Sequence, residues 1–304
     1  MERLKGLIPA VFTPMNSDQS LDLNKIPALT EQLIREKACA FYVCGSTGEG
    51  PMLTTPERKM VADAFIEAVN GRLPVIIQVG HQAIDDACDL ARHAQAAGAD
   101  AIAAVPPNYF DIPSLIVLVD CMARIAGAAP RLPFYYYHIP RLTKIDHDMP
   151  AFLSAAGKQI PTLRGLKFTA FQIFELQTCL ALEEGRFEIF YGCDEMLLSG
   201  LVAGAKAAVG STYNFAAPLY NAIIDAFDRN DISKARQLQL RSIQMIRTMA
   251  AYRGQPAFKA AMGLIGLDCG PNRLPHQNLT GEELRNLQKD LDLIGFFDWA
   301  RRKK

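Results

Sequence analysis

Long apolar runs are missing from this chain of 304 residues, and none approaches the ~20 consecutive apolar residues that a membrane-spanning helix needs. The opening Met1-Glu2-Arg3-Leu4-Lys5-Gly6-Leu7-Ile8-Pro9 has no apolar stretch behind its basic residues, so no secretory leader is expected. An excess of either charge is also missing: 32 Lys and Arg face 32 Asp and Glu, with no long run of one sign. Neither nucleic acid nor an acidic membrane surface is therefore an expected partner. Cysteine pairs at Cys-x-x-Cys spacing are absent. The seven cysteines (Cys39, Cys44, Cys88, Cys121, Cys179, Cys193 and Cys269) are odd in number and dispersed. Such a set fits reduced thiols in a cytoplasmic enzyme better than a disulfide frame. The five histidines (His81, His93, His138, His147 and His276) show no metal-ligand spacing, so no metal is expected. Internal repeats, low-complexity tracts and obvious linkers are lacking too.

What is present is a regular alternation. Half of the residues are apolar and 21% are charged, as in a soluble protein with a substantial core. Short apolar runs at 7–12, 40–44, 75–79, 101–105, 133–137, 163–168, 187–191 and 207–210 read as strands. Helical segments are expected between them, at 23–37, from 55, at 83–97, 114–126, 149–156, 173–183, 195–203 and 218–228. Eight strand–helix units in about 225 residues have the size and rhythm of a (β/α)8 (TIM) barrel. A doubly wound sheet is the rival, but regular units without a break in composition favour closure. Beyond Asp231 only helical patterns remain, at 233–252, 256–265 and 281–293. The expected organisation is one structural unit, a barrel over 1–230 with a helical C-terminal extension over 231–304.

Chemistry in such a barrel gathers at the C-terminal ends of the strands, where the βα loops converge. Five of those ends carry unusual polar groups. The sixth strand delivers Lys167 near its end. A lysine there loses the water that its ammonium form needs, and a neutral amine in a dry pocket can attack a ketone to form a Schiff base. The alternative is a strand-end lysine that reaches out to solvent. The second strand runs into Gly45-Ser46-Thr47-Gly48-Glu49-Gly50, which is neither Gly-x-x-x-x-Gly-Lys nor Gly-x-Gly-x-x-Gly. Its glycines let backbone N–H groups approach a small anion such as a carboxylate, with Ser46 and Thr47 adding hydroxyls, or they serve only a tight turn. The fifth strand ends in Tyr135-Tyr136-Tyr137-His138-Ile139-Pro140. Tyr137 is either lumen packing or a proton shuttle beside the lysine, and His138 faces the opposite side of the strand. Asp194 and Glu195 follow the seventh strand, where carboxylates also suit the first turn of a helix. The eighth leads into Gly210-Ser211-Thr212-Tyr213-Asn214. Lys206 precedes its strand and belongs at the opposite face of the barrel.

Together these residues resemble the pyruvate-dependent aldolase family that includes dihydrodipicolinate synthase and N-acetylneuraminate lyase. The resemblance rests on Gly45-Ser46-Thr47-Gly48-Glu49, Tyr137-His138-Ile139-Pro140, Gly165-Leu166-Lys167 and Gly210-Ser211-Thr212-Tyr213-Asn214, whose order and spacing span nearly the whole chain. It implies a class I aldolase without metal or other cofactor, in which Lys167 forms the pyruvate Schiff base and Tyr137 moves protons. Ser46 and Thr47 inherit the grip on the pyruvate carboxylate. It also implies a homotetramer with a tyrosine from a neighbouring subunit near the site, for which Tyr109 is the candidate.

The family's two branches differ five residues after the tyrosine, where the synthase branch has an arginine for a second carboxylate. This chain has Leu142 there, with Arg141 one residue early. On an extended segment that slip would turn the side chain elsewhere. The lyase branch instead has leucine, with an Asp-Glu pair for sugar hydroxyls that Asp194 and Glu195 match. The sugar-side set implied by the resemblance is Thr169, Gly192, Asp194, Glu195 and Ser211. Arg141 and Ala170 depart from the family pattern and bear on which sugar acid is taken. The expected reaction is reversible cleavage of N-acetylneuraminate to N-acetylmannosamine and pyruvate. The alternatives are another 2-keto-3-deoxy sugar acid, or a non-catalytic protein that binds sugar acids.

Overall fold

The computed structural model describes residues 2–300; Met1 and the last four residues of the extension expected over 231–304 lie outside the described residues. Its eight strands are β1 (Gly6–Pro9), β2 (Phe41–Val43), β3 (Val75–Gln78), β4 (Ala101–Ala104), β5 (Phe134–His138), β6 (Leu163–Phe168), β7 (Glu188–Tyr191) and β8 (Ala207–Gly210). All pair in parallel in the order β1-β8-β7-β6-β5-β4-β3-β2. The two ends of that order meet. The Cys39 N–H donates to the Leu7 carbonyl at 2.9 Å and the Val11 N–H to the Tyr42 carbonyl at 3.1 Å, with parallel bridges at Leu7–Ala38 and Ala10–Tyr42. The sheet is thus a (β/α)8 barrel.

Helices α1 (Ile26–Arg35), α2 (Thr55–Val69), α3 (Ile84–Ala97), α4 (Leu115–Gly127), the single turn α5 (Pro140–Thr143), α6 (Met149–Gln159), α7 (Ile173–Ala181), α8 (Leu197–Ala203) and α9 (Tyr213–Asp228) accompany the strands. Then come α10 (Ile232–Ala251), α11 (Gln255–Leu264), α12 (Gly281–Leu293) and α13 (Phe296–Ala300). Local chemistry accounts for several boundaries. Thr54 and Glu57 form a capping box at the start of α2, with Pro56 in its first turn, and Thr280 and Glu283 do the same for α12. Gly98, at φ +87°, takes the left-handed conformation that ends α3.

Four segments differ from the sequence expectation. Helix α9 starts at Tyr213 and not at Pro218, because the backbone kinks at Ala216 (φ −131°, ψ 16°) and so accommodates the proline ring and its missing N–H inside the helix. The Asp194–Met196 turn is 3-10, so α8 begins only at Leu197. Residues 140–143 form a helical turn, with proline at its start and Lys144 left-handed at its end, so Arg141 and Leu142 do not alternate as on an extended segment. The aromatic run that forms α13 carries no helix signal strong enough to be read from sequence.

The strand alternation splits the core in two. One layer lies between strands and helices; the other fills the lumen with Ile8, Tyr42, Ile76, Tyr135, Tyr137 and Phe190 among others. Among the described residues, no helix is long and apolar enough to cross a membrane. All seven cysteines are free thiols.

Candidate active site

Lys167 sits on β6 in register with Tyr137 of β5 and Phe190 of β7. Alternation turns its side chain into the lumen, where it is 4% exposed. Its Nζ lies 4.0 Å from the centre of the Tyr137 ring and 4.3 Å from that of Tyr42. Those two rings meet edge to face, 5.8 Å between centres. The amine is therefore held by two π faces, and among the described residues no carboxylate pairs with it. Burial raises the Tyr42 phenol well above its ordinary range, so this ring stays neutral.

The loop after β2 forms one wall. Thr47 is buried, and its hydroxyl shares a 2.6 Å hydrogen bond with the Ser211 hydroxyl from the loop after β8. Ser46 beside it is half-buried. Behind the hydroxyls the loop is tied down by its backbone. The Gly48 carbonyl accepts from Thr13 Oγ1 at 2.6 Å and the Thr47 carbonyl from Gln255 Nε2 at 2.8 Å. Glu49, left-handed at φ 57° and fully buried, accepts from Lys259 Nζ at 2.7 Å and from the Arg273 N–H at 2.8 Å.

The wall formed by β6, β7 and β8 holds the sugar-side residues of the expected set. Asp194 is buried; its Oδ2 accepts from the Thr212 N–H at 2.8 Å and the Thr212 hydroxyl at 2.6 Å. That hydroxyl lies 2.7 Å from the Tyr220 hydroxyl. Because it carries one proton, Tyr220 supplies the proton of the second bond. Burial pushes the Asp194 carboxyl up to about 6, against the pull of the two Thr212 bonds and, more weakly, the Lys167 charge. Gly210 makes this carboxylate possible, since a Cβ there would stand 2.2 Å from Asp194 Oδ1. Gly192 has the same relation to Thr169, whose Oγ1 would lie 2.0 Å from an added Cβ. The Thr169 hydroxyl is itself buried and has no hydrogen-bond partner among the described residues. Glu195 is half-buried. Beside it the Cys193 thiol, pushed up to about 12 by burial, donates to the Ala170 carbonyl at 3.5 Å and is inert as a nucleophile.

Other expected residues stand apart from this cluster. Tyr109 is 84% exposed and packs edge to face on Phe110, which is 80% exposed. Arg141 and Leu142 are exposed. His138 turns to the outer layer against Phe168, and burial pushes its ring down to about 4, so it is neutral. Lys206 is exposed, and its carbonyl accepts from Gly6 at the start of β1.

Sequence reasoning missed Tyr42, although alternation along β2, with Phe41 and Val43 on its outer face, is the signal that would have aimed it into the lumen. It also missed Gln239, Gln255 and Lys259. For Lys259 the cue was a lone cation within the apolar run Pro256-Ala257-Phe258-Lys259-Ala260-Ala261-Met262.

A profile of the dihydrodipicolinate synthetase family matches residues 3–294. The chain belongs to the dihydrodipicolinate synthetase family. Within it, the chain is 40% identical to N-acetylneuraminate lyase A of Xenopus laevis, covering 96% of this chain and 98% of that protein. It is 35% identical to the human N-acetylneuraminate lyase, covering 98% and 95%. Among solved structures, the Proteus mirabilis N-acetylneuraminate lyase superposes with a TM-score of 0.94 at 38% identity, over 97% of this chain and 100% of that one.

Proposed function

We propose that this chain is a Schiff-base aldolase that reversibly cleaves N-acetylneuraminate to N-acetyl-D-mannosamine and pyruvate. The observation that carries the reading is Lys167: a buried amine at the C-terminal end of a barrel strand, paired with no carboxylate among the described residues and held between two aromatic faces. The full-length similarity to proteins named N-acetylneuraminate lyase supports the choice of substrate.

Lys167 Nζ attacks the C2 ketone of the open-chain sugar acid, and water leaves as the iminium forms. Ser46 and Thr47 hold the substrate carboxylate, with Ser211 fixing the Thr47 hydroxyl. Tyr137 takes the C4 hydroxyl proton, and the C3–C4 electron pair moves into the iminium, which is the electron sink. N-acetylmannosamine departs as the aldehyde, the enamine is protonated at C3, and hydrolysis releases pyruvate and the free amine. On the sugar side Thr169, Gly192, Asp194, Glu195 and Ser211 meet the polyol, carboxylates being good acceptors for its hydroxyls. No step needs a metal or organic cofactor, because the substrate itself becomes the sink. We further infer a homotetramer in which Tyr109 reaches a neighbouring subunit's site, and a cytoplasmic setting where seven free thiols stay reduced.

Incubation with pyruvate and borohydride, followed by peptide mass spectrometry, tests the mechanism: the expected adduct is on the peptide containing Lys167. An adduct elsewhere, or none, overturns it. A coupled assay for pyruvate released from N-acetylneuraminate tests the substrate. A second reading keeps the Schiff base and changes the sugar acid. It is favoured by Asp194 Oδ2 being committed to Thr212, which leaves less acceptor capacity for a polyol. Product analysis across several 2-keto-3-deoxy sugar acids separates the two.

A further inference from the structure

Two side chains of α11 end on the loop that carries Ser46 and Thr47. Gln255 and Lys259 are four residues apart, one helical turn, and so project from the same face. Gln255 Nε2 donates to the Thr47 carbonyl at 2.8 Å. Lys259 Nζ donates to Glu49 Oε1 at 2.7 Å and to the Pro271 carbonyl at 2.8 Å. Both side chains of the Glu49–Lys259 pair are fully buried. A buried ion pair is a poor source of net stability, because desolvation offsets most of the attraction. What it does supply is geometry. Glu49 is a non-glycine residue in the left-handed region, a conformation that persists only where the surroundings hold it. One helix face therefore grips the loop at Thr47 and again at Glu49. Between these anchors the Thr47 hydroxyl is set 2.6 Å from Ser211.

We propose that Gln255 and Lys259 are positioning residues that fix the height and tilt of the Ser46–Thr47 hydroxyls at the barrel mouth. They thereby set the affinity of the site for the carboxylate of a 2-keto acid. This rests on the reading of that loop as the carboxylate cradle. Neither residue touches a reacting atom. Their influence falls on binding more than on the chemical step.

The test uses the full chain, with pyruvate and cyanoborohydride as the trapping pair. Gln255→Glu keeps the shape but removes the amide donor. At pH 8 the pyruvate concentration for half-maximal trapping is expected to rise about fivefold, with the saturating rate within about twofold of the parent. As the pH falls to about 4, just below the ordinary glutamate value of about 4.3, the introduced carboxyl regains a proton, can donate again, and the difference from the parent narrows. Gln255→Lys restores a donor and recovers affinity at both pH values. Lys259→Arg, which keeps the charge, is expected to retain more pyruvate affinity than Lys259→Met, each measured on protein that melts cooperatively. If Gln255→Glu matches the parent at both pH values while Thr47→Val weakens pyruvate binding, the positioning role is overturned and the cradle stands. If Thr47→Val binds pyruvate as the parent does, the cradle assignment falls. Absence of any trapping on Lys167 in the parent sinks the Schiff-base reading and this inference with it.

Discussion

Lys167 shows how much a single residue depends on its neighbours. Its Nζ is held by the faces of Tyr42 and Tyr137 in place of a counter-ion. Because the iminium that forms on Nζ is a cation facing the same ring, Tyr42→Phe is expected to trap pyruvate nearly as fast as the parent, while Tyr42→Leu slows trapping about tenfold. That is the scale of a partly desolvated cation–π contact, and equal rates for the two variants would assign the ring to packing alone. Asp194 offers a second measurement at this scale. Its carboxyl is raised from 3.8 to about 6, so the folded state favours the protonated form. The resulting stability is fully present below about 3.8 and is lost as the pH rises through about 6, on the order of 3 kcal/mol for this fully buried group. Denaturant titrations at pH 4 and pH 7 are expected to show that Asp194→Asn removes this part of the parent's pH dependence. In the same window, the KM for N-acetylneuraminate is expected to rise as the pH falls through about 6, with pyruvate trapping little affected. The types and order of these residues were readable from the chain. Their partners were not: Tyr42 lies 125 positions from Lys167 in sequence, and only barrel closure brings the two together.

At the scale of elements, the C-terminal helices reach both walls of the site. From α10, Gln239 donates to the Asp194 carbonyl at 3.2 Å and accepts from the Leu198 N–H at 2.8 Å, pinning the turn that presents Asp194 and Glu195. From α11, Gln255 and Lys259 hold the opposite loop. Removing one member of the buried pair leaves the other charge uncompensated, so Lys259→Met is expected to cost about 3–5 kcal/mol in chemical denaturation. The double variant Glu49→Leu/Lys259→Met is expected to recover much of that loss, and a simple sum of the two single losses would deny the coupling. Strand positions were legible because short apolar runs between turn residues have few other uses. Helix starts were less so. The kink at Ala216 that admits Pro218 into α9 and the helical turn at Pro140 are settled by packing around them, which local propensity does not register.

For the whole molecule, eight parallel strands closed through the Ala10–Tyr42 bridge bring five loops to one mouth. The same mouth carries Tyr109 and Phe110, large apolar side chains at 84% and 80% exposure. Singly exposed aromatics need no explanation, but an edge-to-face pair on one loop is a surface suited to burial by another copy. Sedimentation is expected to give a particle of four 33.5 kDa chains. Tyr109→Ala would weaken assembly and lower turnover together; a fully active monomer would remove Tyr109 from the site.

Sequence by itself determined the barrel, the lysine and the loops that surround it, because hydrophobic period, turn residues and polar strand ends are properties of consecutive residues. Tertiary structure alone decided what those groups touch: the two rings around Lys167, the Thr47–Ser211 bond, the raised Asp194 carboxyl and the grip of α11 on Glu49. Each of these joins segments far apart in the chain. The physical quantities involved, desolvation and hydrogen-bond geometry, exist only once the chain has closed around them.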